Sequence, residues 1–223
     1  MWMQYPGIEE LYSLDDQYFI GSDLLVKPIT EAGVTETEVN FPSADSWYDV
    51  DTTQRISSVD NGAKFETVMV KSDIDKIPVY QRGGSVLARK LRLRRSTQMM
   101  SKDPYTLYIA LNKSNNAAGE VYMDDEHSFS HEGSEGKFGM SEISVEWGKF
   151  IKNRVNGNSE WASSNAPTRM VERIVVMGVV DGPSALLLNS EHVEFQYSPQ
   201  SQCLVMRSPK VSLLEAWEIE ISS

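Results

Sequence analysis

Three consecutive acids and a histidine, Asp124-Asp125-Glu126-His127, stand together in the stretch YMDDEHSF. Two chemistries start from such residues: cleavage of a glycosidic bond by a carboxyl pair, and chelation of a divalent cation. If the strand-like run GEVYM (119–123) continues into the acids, neighbouring side chains point to opposite faces, so Asp124 and Asp125 cannot address one sugar together. Asp124 and Glu126 would share a face about 7 Å apart, inside the range of about 6.5–9.5 Å used by inverting glycosidases. Yet Asp, Glu and Ser followed by glycines are the ordinary residues of a hairpin end, and 126–139 reads as a polar surface loop. For a metal, Asp124, Glu126, His127, His131 and Glu132 supply donors without matching an EF-hand spacing. The step from His127 to His131 aligns ligands on a helix, which the local Gly and Ser content opposes. A solvated turn is expected, and no catalytic, cofactor-binding or metal-ligating residue is assigned anywhere in the chain. No cofactor is implied.

Other residues that could do chemistry have plainer uses. Lys90, Arg92 and Arg94 alternate with Leu91 and Leu93, which predicts an amphipathic strand whose cations pair with the surplus carboxylates. The aromatics of WYDVD (47–51) and Trp161 offer faces that stack on sugar rings, although core packing is the commoner use. Cys203, the only cysteine, sits in QCLVMR and is expected as a buried strand thiol; a single cysteine allows no intrachain disulfide. Asn112-Lys113-Ser114 is the single glycosylation triplet. No GxSxG elbow, P-loop or HExxH occurs, and three scattered histidines do not support a Ser-His-Asp arrangement.

The elements that must carry these residues are strands. TVMVKS (67–72), IPVYQ (77–81), TLYIAL (106–111), GEVYM (119–123), ERIVVMGVV (172–180), ALLLN (185–189), VEFQYS (193–198), CLVMRS (203–208) and AWEIEIS (216–222) are short and rich in β-branched or aromatic residues. Turn residues divide them at Pro42-Ser43, Asn61-Gly62, Gly83-Gly84, Asn115-Asn116, Gly182-Pro183 and Ser198-Pro199. The fold class expected is mainly β: two antiparallel β units, whose many short strands and turn signals argue for a sandwich architecture. The charged, irregular stretch 90–104 marks their boundary. Residues 1–32 differ, with a short helix in IEELYSLDDQYF and an apolar run SDLLVKPI typical of a strand buried on both faces. They are expected to be the end of something larger, because an opening on WMQYP has neither cap nor turn ahead of it. The stretch 153–168 is expected to be a second polar loop.

Composition narrows the partners. With 21 Lys plus Arg against 32 Asp plus Glu, the net charge is −11, which repels phosphate backbones and anionic lipid. Neither nucleic acid nor a membrane is an expected partner. No apolar run reaches eighteen residues, and MWMQYPGIEE has no secretory-leader pattern, so the termini do not declare a compartment.

Several segments in co-linear order resemble the carboxy-terminal part of glycoside hydrolase family 31, the retaining α-glucosidases. QYFIGSDLLVKPI (17–29) is similar to the family segment ending its catalytic barrel, WYDVDT (47–52) to its "WYD", and IPVYQRGGSV (77–86) to its "IPVFxRGGxI" strand and turn. LRLRRSTQMMSKDPYTLYIAL (91–111) and MVERIVVMGV (170–179) resemble the endoplasmic-reticulum glucosidase II branch. The resemblance implies that residues 1–32 are the last piece of a (β/α)8 barrel, 33–96 a proximal β sheet domain and 97–223 a distal β-sandwich. For the intact enzyme it implies removal of α-1,3-linked glucose from N-glycans in the endoplasmic-reticulum lumen, beside a non-catalytic β subunit. It also implies that the catalytic aspartates lie in the upstream barrel and that this chain alone is inactive. YMDDEHSF then falls on a distal hairpin where the family carries "GELFLDDGHSF". Glu126 replaces a glycine there, so an altered or strained turn is expected. Two other readings stay open at this stage: a stand-alone carbohydrate-binding or protein-docking β module, and a small hydrolase using Asp124 and Glu126.

Overall fold

The computed structural model describes residues 1–56, 62–132 and 136–222. The Asn61 half of the Asn61-Gly62 turn lies outside the described residues, as do 133–135 within the 126–139 loop. The first strands are β1 (Tyr18–Ile20), β2 (Leu24–Val26), β3 (Glu36–Pro42), β4 (Trp47–Asp49), β5 (Arg55–Ile56), β6 (Phe65–Lys71), β7 (Val79–Arg82) and β8 (Ser85–Arg89). After them come β9 (Tyr105–Ala110), β10 (Asn116–Met123), β11 (Gly139–Glu146), β12 (Phe150–Gly157), helix α1 (Ser159–Asn165) and β13 (Met170–Met177). The rest are β14 (Ala185–Leu188), β15 (Glu191–His192), β16 (Phe195–Ser198), β17 (Cys203–Ser212) and β18 (Trp217–Ser222).

The first unit is a five-stranded antiparallel sheet ordered β1-β2-β7-β4-β5, beside the two-stranded ribbon β3-β6. Alternation explains the ribbon: Val39 and Phe41 of β3 turn inward with Val68 and Val70 of β6, while Met69 faces out. These side chains share one core with Leu25, Trp47 and Tyr80, closed from the amino-terminal side by Tyr5, Ile8 and Leu11. The helix expected in IEELYSLDDQYF is one 3-10 turn, Glu9–Leu11, which delivers Leu11 to that core. β1 is an edge strand, and its outward residues Tyr18 and Ile20 are exposed.

The change of sheet occurs at Gly83-Gly84. The Gly83 amide donates to Ser46 O of the first unit at 2.7 Å, and the Gly84 amide donates to Ala110 O of the second, also at 2.7 Å. Gly84 adopts φ +96°, a conformation glycine takes without a steric penalty. β8 therefore already belongs to the second sheet, and the 90–104 stretch is the connection from β8 to β9 inside that sheet.

The second unit is one hydrogen-bonded run of eleven strands, β15-β14-β18-β12-β11-β10-β8-β9-β13-β17-β16. Most neighbours are antiparallel, but β9 and β13 pair in parallel, as do β8 and β10 through Ala118 and Ser85. Ile143 and Ile151 from one half and Leu107, Ile174 and Leu204 from the other bury into a single core, so the sheet folds over on itself as a sandwich does. The opposite face of β9 and β13 is also covered: Ala110, Val175, Met177 and Cys203 pack with Tyr48 of the first unit. Tyr48 Oη donates to Leu111 O at 2.7 Å and stands against Gly178, fastening the two units together.

The loop expected at 153–168 is a strand end followed by a helix. β12 runs to Gly157, and α1 starts with Asn158 as its cap, whose Oδ1 accepts the Trp161 amide at 2.8 Å. Its polar composition conceals a buried position. Asn153 is 1% exposed, and it donates to Leu213 O and Glu215 O at 3.1 and 2.8 Å while accepting from Ser141 Oγ. Hydrogen bonds there take the place of an apolar side chain.

Candidate functional site

The acids of YMDDEHSF stand just past the end of β10, in the turn between β10 and β11, and not on the strand. A strand-based pairing of Asp124 with Glu126 is thereby excluded. Asp124 Oδ1 accepts the Glu126 amide at 2.8 Å, and Asp125 Oδ1 accepts the amides of His127 and Ser128 at 3.1 and 2.9 Å. Asp125 Oδ2 takes the Ser128 hydroxyl at 2.6 Å. Both aspartates are thus engaged as side-chain mimics of backbone turns. The Ser128 hydroxyl, then the Ser128 and His127 amides, hold the Asp125 carboxyl down to about 2. A folded value below the unfolded 3.8 means that this turn contributes stability above pH 3.8 and loses it as pH falls through 2.

Glu126 adopts φ +64°, the left-handed conformation a glycine would hold without strain. Its carboxylate lies 3.7 Å from Arg169 Nη2 and 3.8 Å from Lys90 Nζ. Arg169 is the residue the sequence did not point to. Its side chain is 7% exposed; Nη1 donates to Ser101 O at 2.9 Å and Nη2 to Asp124 O at 3.1 Å. Lys90 Nζ donates to Ser101 O at 3.0 Å and stands 4.8 Å from the centre of the Tyr105 ring. Burial pushes the Lys90 ammonium below the usual lysine value, against the opposing pull of Glu126. Arg169 therefore ties the turn to the β8–β9 connection. Replacing Glu126 by Gly is expected to leave a chain about 1 kcal/mol more stable than replacing it by Ala, since both remove the carboxylate and only Gly relieves the backbone. Urea unfolding of the two variants measures the difference, and equal midpoints would show that the turn stores no strain.

The stripe at 90–94 is not a strand. Leu93 is 99% exposed and Leu91 is exposed too, so no apolar face forms. The cations do pair with carboxylates: Arg94 holds Asp103 through two bonds of 2.9 and 2.7 Å, and Arg92 reaches Glu172 at 3.1 Å. The Arg94 hydrogen bond is the first cause of an Asp103 carboxyl held below its usual range. Pairing with partners at 103, 126 and 172 replaces the strand as the organising force.

The aromatics of WYDVD are core residues. Trp47 and Tyr48 are each 1% exposed, with Trp47 Nε1 donating to Pro42 O at 3.0 Å, so neither offers a face to a sugar. Trp161 lies on α1, half-buried against the large core. Cys203 is buried as expected, and burial, against a weaker effect of the Thr53 hydroxyl, pushes its thiol up. Surface grooves of about 640 Å³ beside Glu191 and Arg207 and about 590 Å³ beside Glu120 and Arg154 are not lined by Asp124, Asp125 or Glu126. Among the described residues no group of three or more His, Cys, Asp or Glu side chains is placed to hold a metal.

Residues 1–87 match the model of the glycosyl hydrolase family 31 C-terminal domain. Neutral alpha-glucosidase AB of Dictyostelium discoideum is 36% identical over 215 residues, covering 94% of this chain and 22% of that protein. The Homo sapiens protein of the same name is 30% identical over 228 residues, covering 99% of this chain and 23% of its own length. Among solved structures, a glucosidase II alpha subunit superposes with a TM-score of 0.84 at 27% identity, over the whole of this chain and 25% of that one. A Flavobacterium johnsoniae dextranase shares the fold, with a TM-score of 0.72 at 16% identity, over all of this chain and 28% of its own. This chain thus spans roughly a quarter of the length of the proteins it matches. Residues 1–87 thus carry the glycoside hydrolase family 31 C-terminal domain, and the whole chain is similar in sequence and fold to a β region of the glucosidase II α type.

Proposed function

We propose that the chain supports the catalytic barrel of a retaining α-glucosidase that removes α-1,3-linked glucose from N-glycans in the endoplasmic-reticulum lumen. The observation that carries this reading is the end-to-end superposition on the glucosidase II alpha subunit. Structures of such subunits with alpha3-Glc2 and Glc1Man2 bound, and one in complex with the binding domain of a regulatory subunit, support the substrate class and a non-catalytic partner subunit. Among the described residues no helix is long and apolar enough to cross a membrane.

Within the intact enzyme the division 1–32, 33–96 and 97–223 is proposed as barrel remnant, proximal β domain and distal sandwich, with β1 and β2 of the first part joined to the sheet of the second and β8 of the second joined to the sheet of the third. The β1 edge, with Tyr18 and Ile20 exposed, and the exposed amino-terminal Trp2, Met3 and Tyr12 are the residues that face the barrel. Such an edge with large apolar side chains is stabilised when another part of the protein covers it. Retaining hydrolysis needs two carboxyl groups about 5–5.5 Å apart across the scissile bond. The two aspartates of YMDDEHSF are instead spent on backbone amides and Glu126 faces Lys90 and Arg169, while the burial of Trp47 and Tyr48 leaves the half-buried Trp161 as the aromatic a stand-alone sugar-binding module would use.

An aryl α-glucoside assay tests the reading: this chain alone gives background turnover, and co-expression with the upstream barrel gives activity. Turnover by the chain alone that falls on Asp124→Asn would overturn it.

A further inference from the structure

Asn112-Lys113-Ser114 is the one Asn-X-Ser/Thr triplet with a non-proline centre in the chain. A triplet alone says little, so what matters is whether Nδ2 of Asn112 is free and reachable. The residue opens the turn between β9 and β10. The Asn115 amide donates to Asn112 O at 2.9 Å, and the Asn112 amide donates to Asn116 O at 3.0 Å. Oδ1 of Asn112 accepts the amides of Ser114 and Asn116 at 2.9 and 3.0 Å. Two backbone donors aimed at one side-chain atom identify it as the oxygen and fix the rotation of the amide.

Nδ2 is left on the other side. It donates no hydrogen bond among the described residues, and it is absent from the buried polar atoms that lack a partner, so it reaches solvent. Gly84 lies on that side, where even a Cβ would stand at ordinary van der Waals distance, 3.5 Å from Nδ2. Lys113 is drawn back by its bond to Ser43 O at 2.7 Å, and Ser114 is exposed with its hydroxyl unengaged among the described residues.

We infer that Asn112 is an N-glycan acceptor, an inference that rests on the lumenal location proposed above. The donor class is a lipid-linked oligosaccharide diphosphate. Nδ2 forms a bond to the anomeric carbon as the bond from that carbon to the diphosphate oxygen breaks, and the amide gives up one proton while the lipid diphosphate leaves. Oδ1 and one N–H remain, so the glycosylated turn keeps both of its Oδ1 hydrogen bonds. The modification is therefore compatible with the folded chain.

The test uses the protein as its own cells make it. Microsomes are treated with protease to establish lumenal protection, and the protected protein is then digested with peptide N-glycosidase in ¹⁸O-water and analysed by mass spectrometry. Conversion of Asn112 to ¹⁸O-labelled Asp, lost in Ser114→Ala, is the expected result. Ser114→Ala removes only the unengaged hydroxyl and keeps the backbone amide that donates to Asn112, so the turn is retained. A protected protein with Asn112 unmodified would overturn this inference and leave the lumenal reading standing. A protein that is not protected would overturn both.

Discussion

Replacing Gly178 by Ala is expected to cost about 3 kcal/mol, seen as a lower urea midpoint at unchanged slope. Gly178 has φ +88°, and a Cβ there would overlap Tyr48 Oη and lie 3.0 Å from Tyr48 Cζ. The strain of a left-handed alanine contributes about 1 kcal/mol and displacement of the buried ring the remainder. Tyr48 cannot yield cheaply, because it is enclosed by Ala110, Val175, Met177 and Cys203 and bonded to Leu111 O. Tyr48→Phe is the companion variant. It keeps the ring, leaves the Leu111 carbonyl short of a donor, and is expected to cost about 1 to 2 kcal/mol. The two losses should not add in the double variant, since both act on one contact. A Gly178→Ala midpoint equal to the parent's would show that Tyr48 does not bolt the two sheets together.

The second large effect is expected at Arg169. Arg169→Met should cost about 3 kcal/mol, because truncating one partner of a buried polar cluster leaves the others desolvated and unpaired. Here the orphans are the carbonyls of Ser101 and Asp124, with Glu126 losing the nearer of its two cations. Lys90 still reaches Ser101 O, which places the expected loss at the lower end of the range for broken buried pairs. Hydrogen exchange should accelerate at the amides of residues 126–128, which form the turn held by Asp124 and Asp125. Arg169→Lys should fall between, since a single ammonium cannot serve two carbonyls in diverging directions. A loss below about 0.5 kcal/mol for Arg169→Met would mean that the turn stands without this residue.

The hairpin character of YMDDEHSF was legible in its residues, because Asp and Ser capture nearby amides whatever surrounds them. Its anchor was not legible: Arg169 is distant in sequence and follows no pattern that marks a buried cation. The strands of the second unit were largely readable where apolar, mostly β-branched residues occupy their inward positions, as in Leu107, Ile109, Ile174 and Val176. β12 escaped because one of its inward positions, between Ile151 and Val155, is Asn153, whose satisfaction by Leu213 and Glu215 requires β17 and β18 to be in place. The opposite error arose at Lys90–Arg94, where alternation suggested a strand. There the ion pairs with Asp103 and Glu172 hold an irregular path, and the apolar partners stay in water. Local pattern served wherever burial and periodicity agreed, and it failed where a long-range polar partner decided the conformation.

The parallel pairing of β9 with β13 sets a timetable for the molecule. Tyr105–Ala110 waits for Met170–Met177 before gaining that neighbour, and β12 waits for Trp217–Ser222. As the ribosome delivers the chain, the first unit can complete its own sheet once β7 emerges, whereas the eleven-stranded sheet cannot close until β18 does. Non-local pairing of this kind folds slowly and leaves apolar strands unpaired in the interval. Β-branched runs such as ERIVVMGVV are then open to association with other nascent chains, so chaperone demand during synthesis is written into the strand order itself.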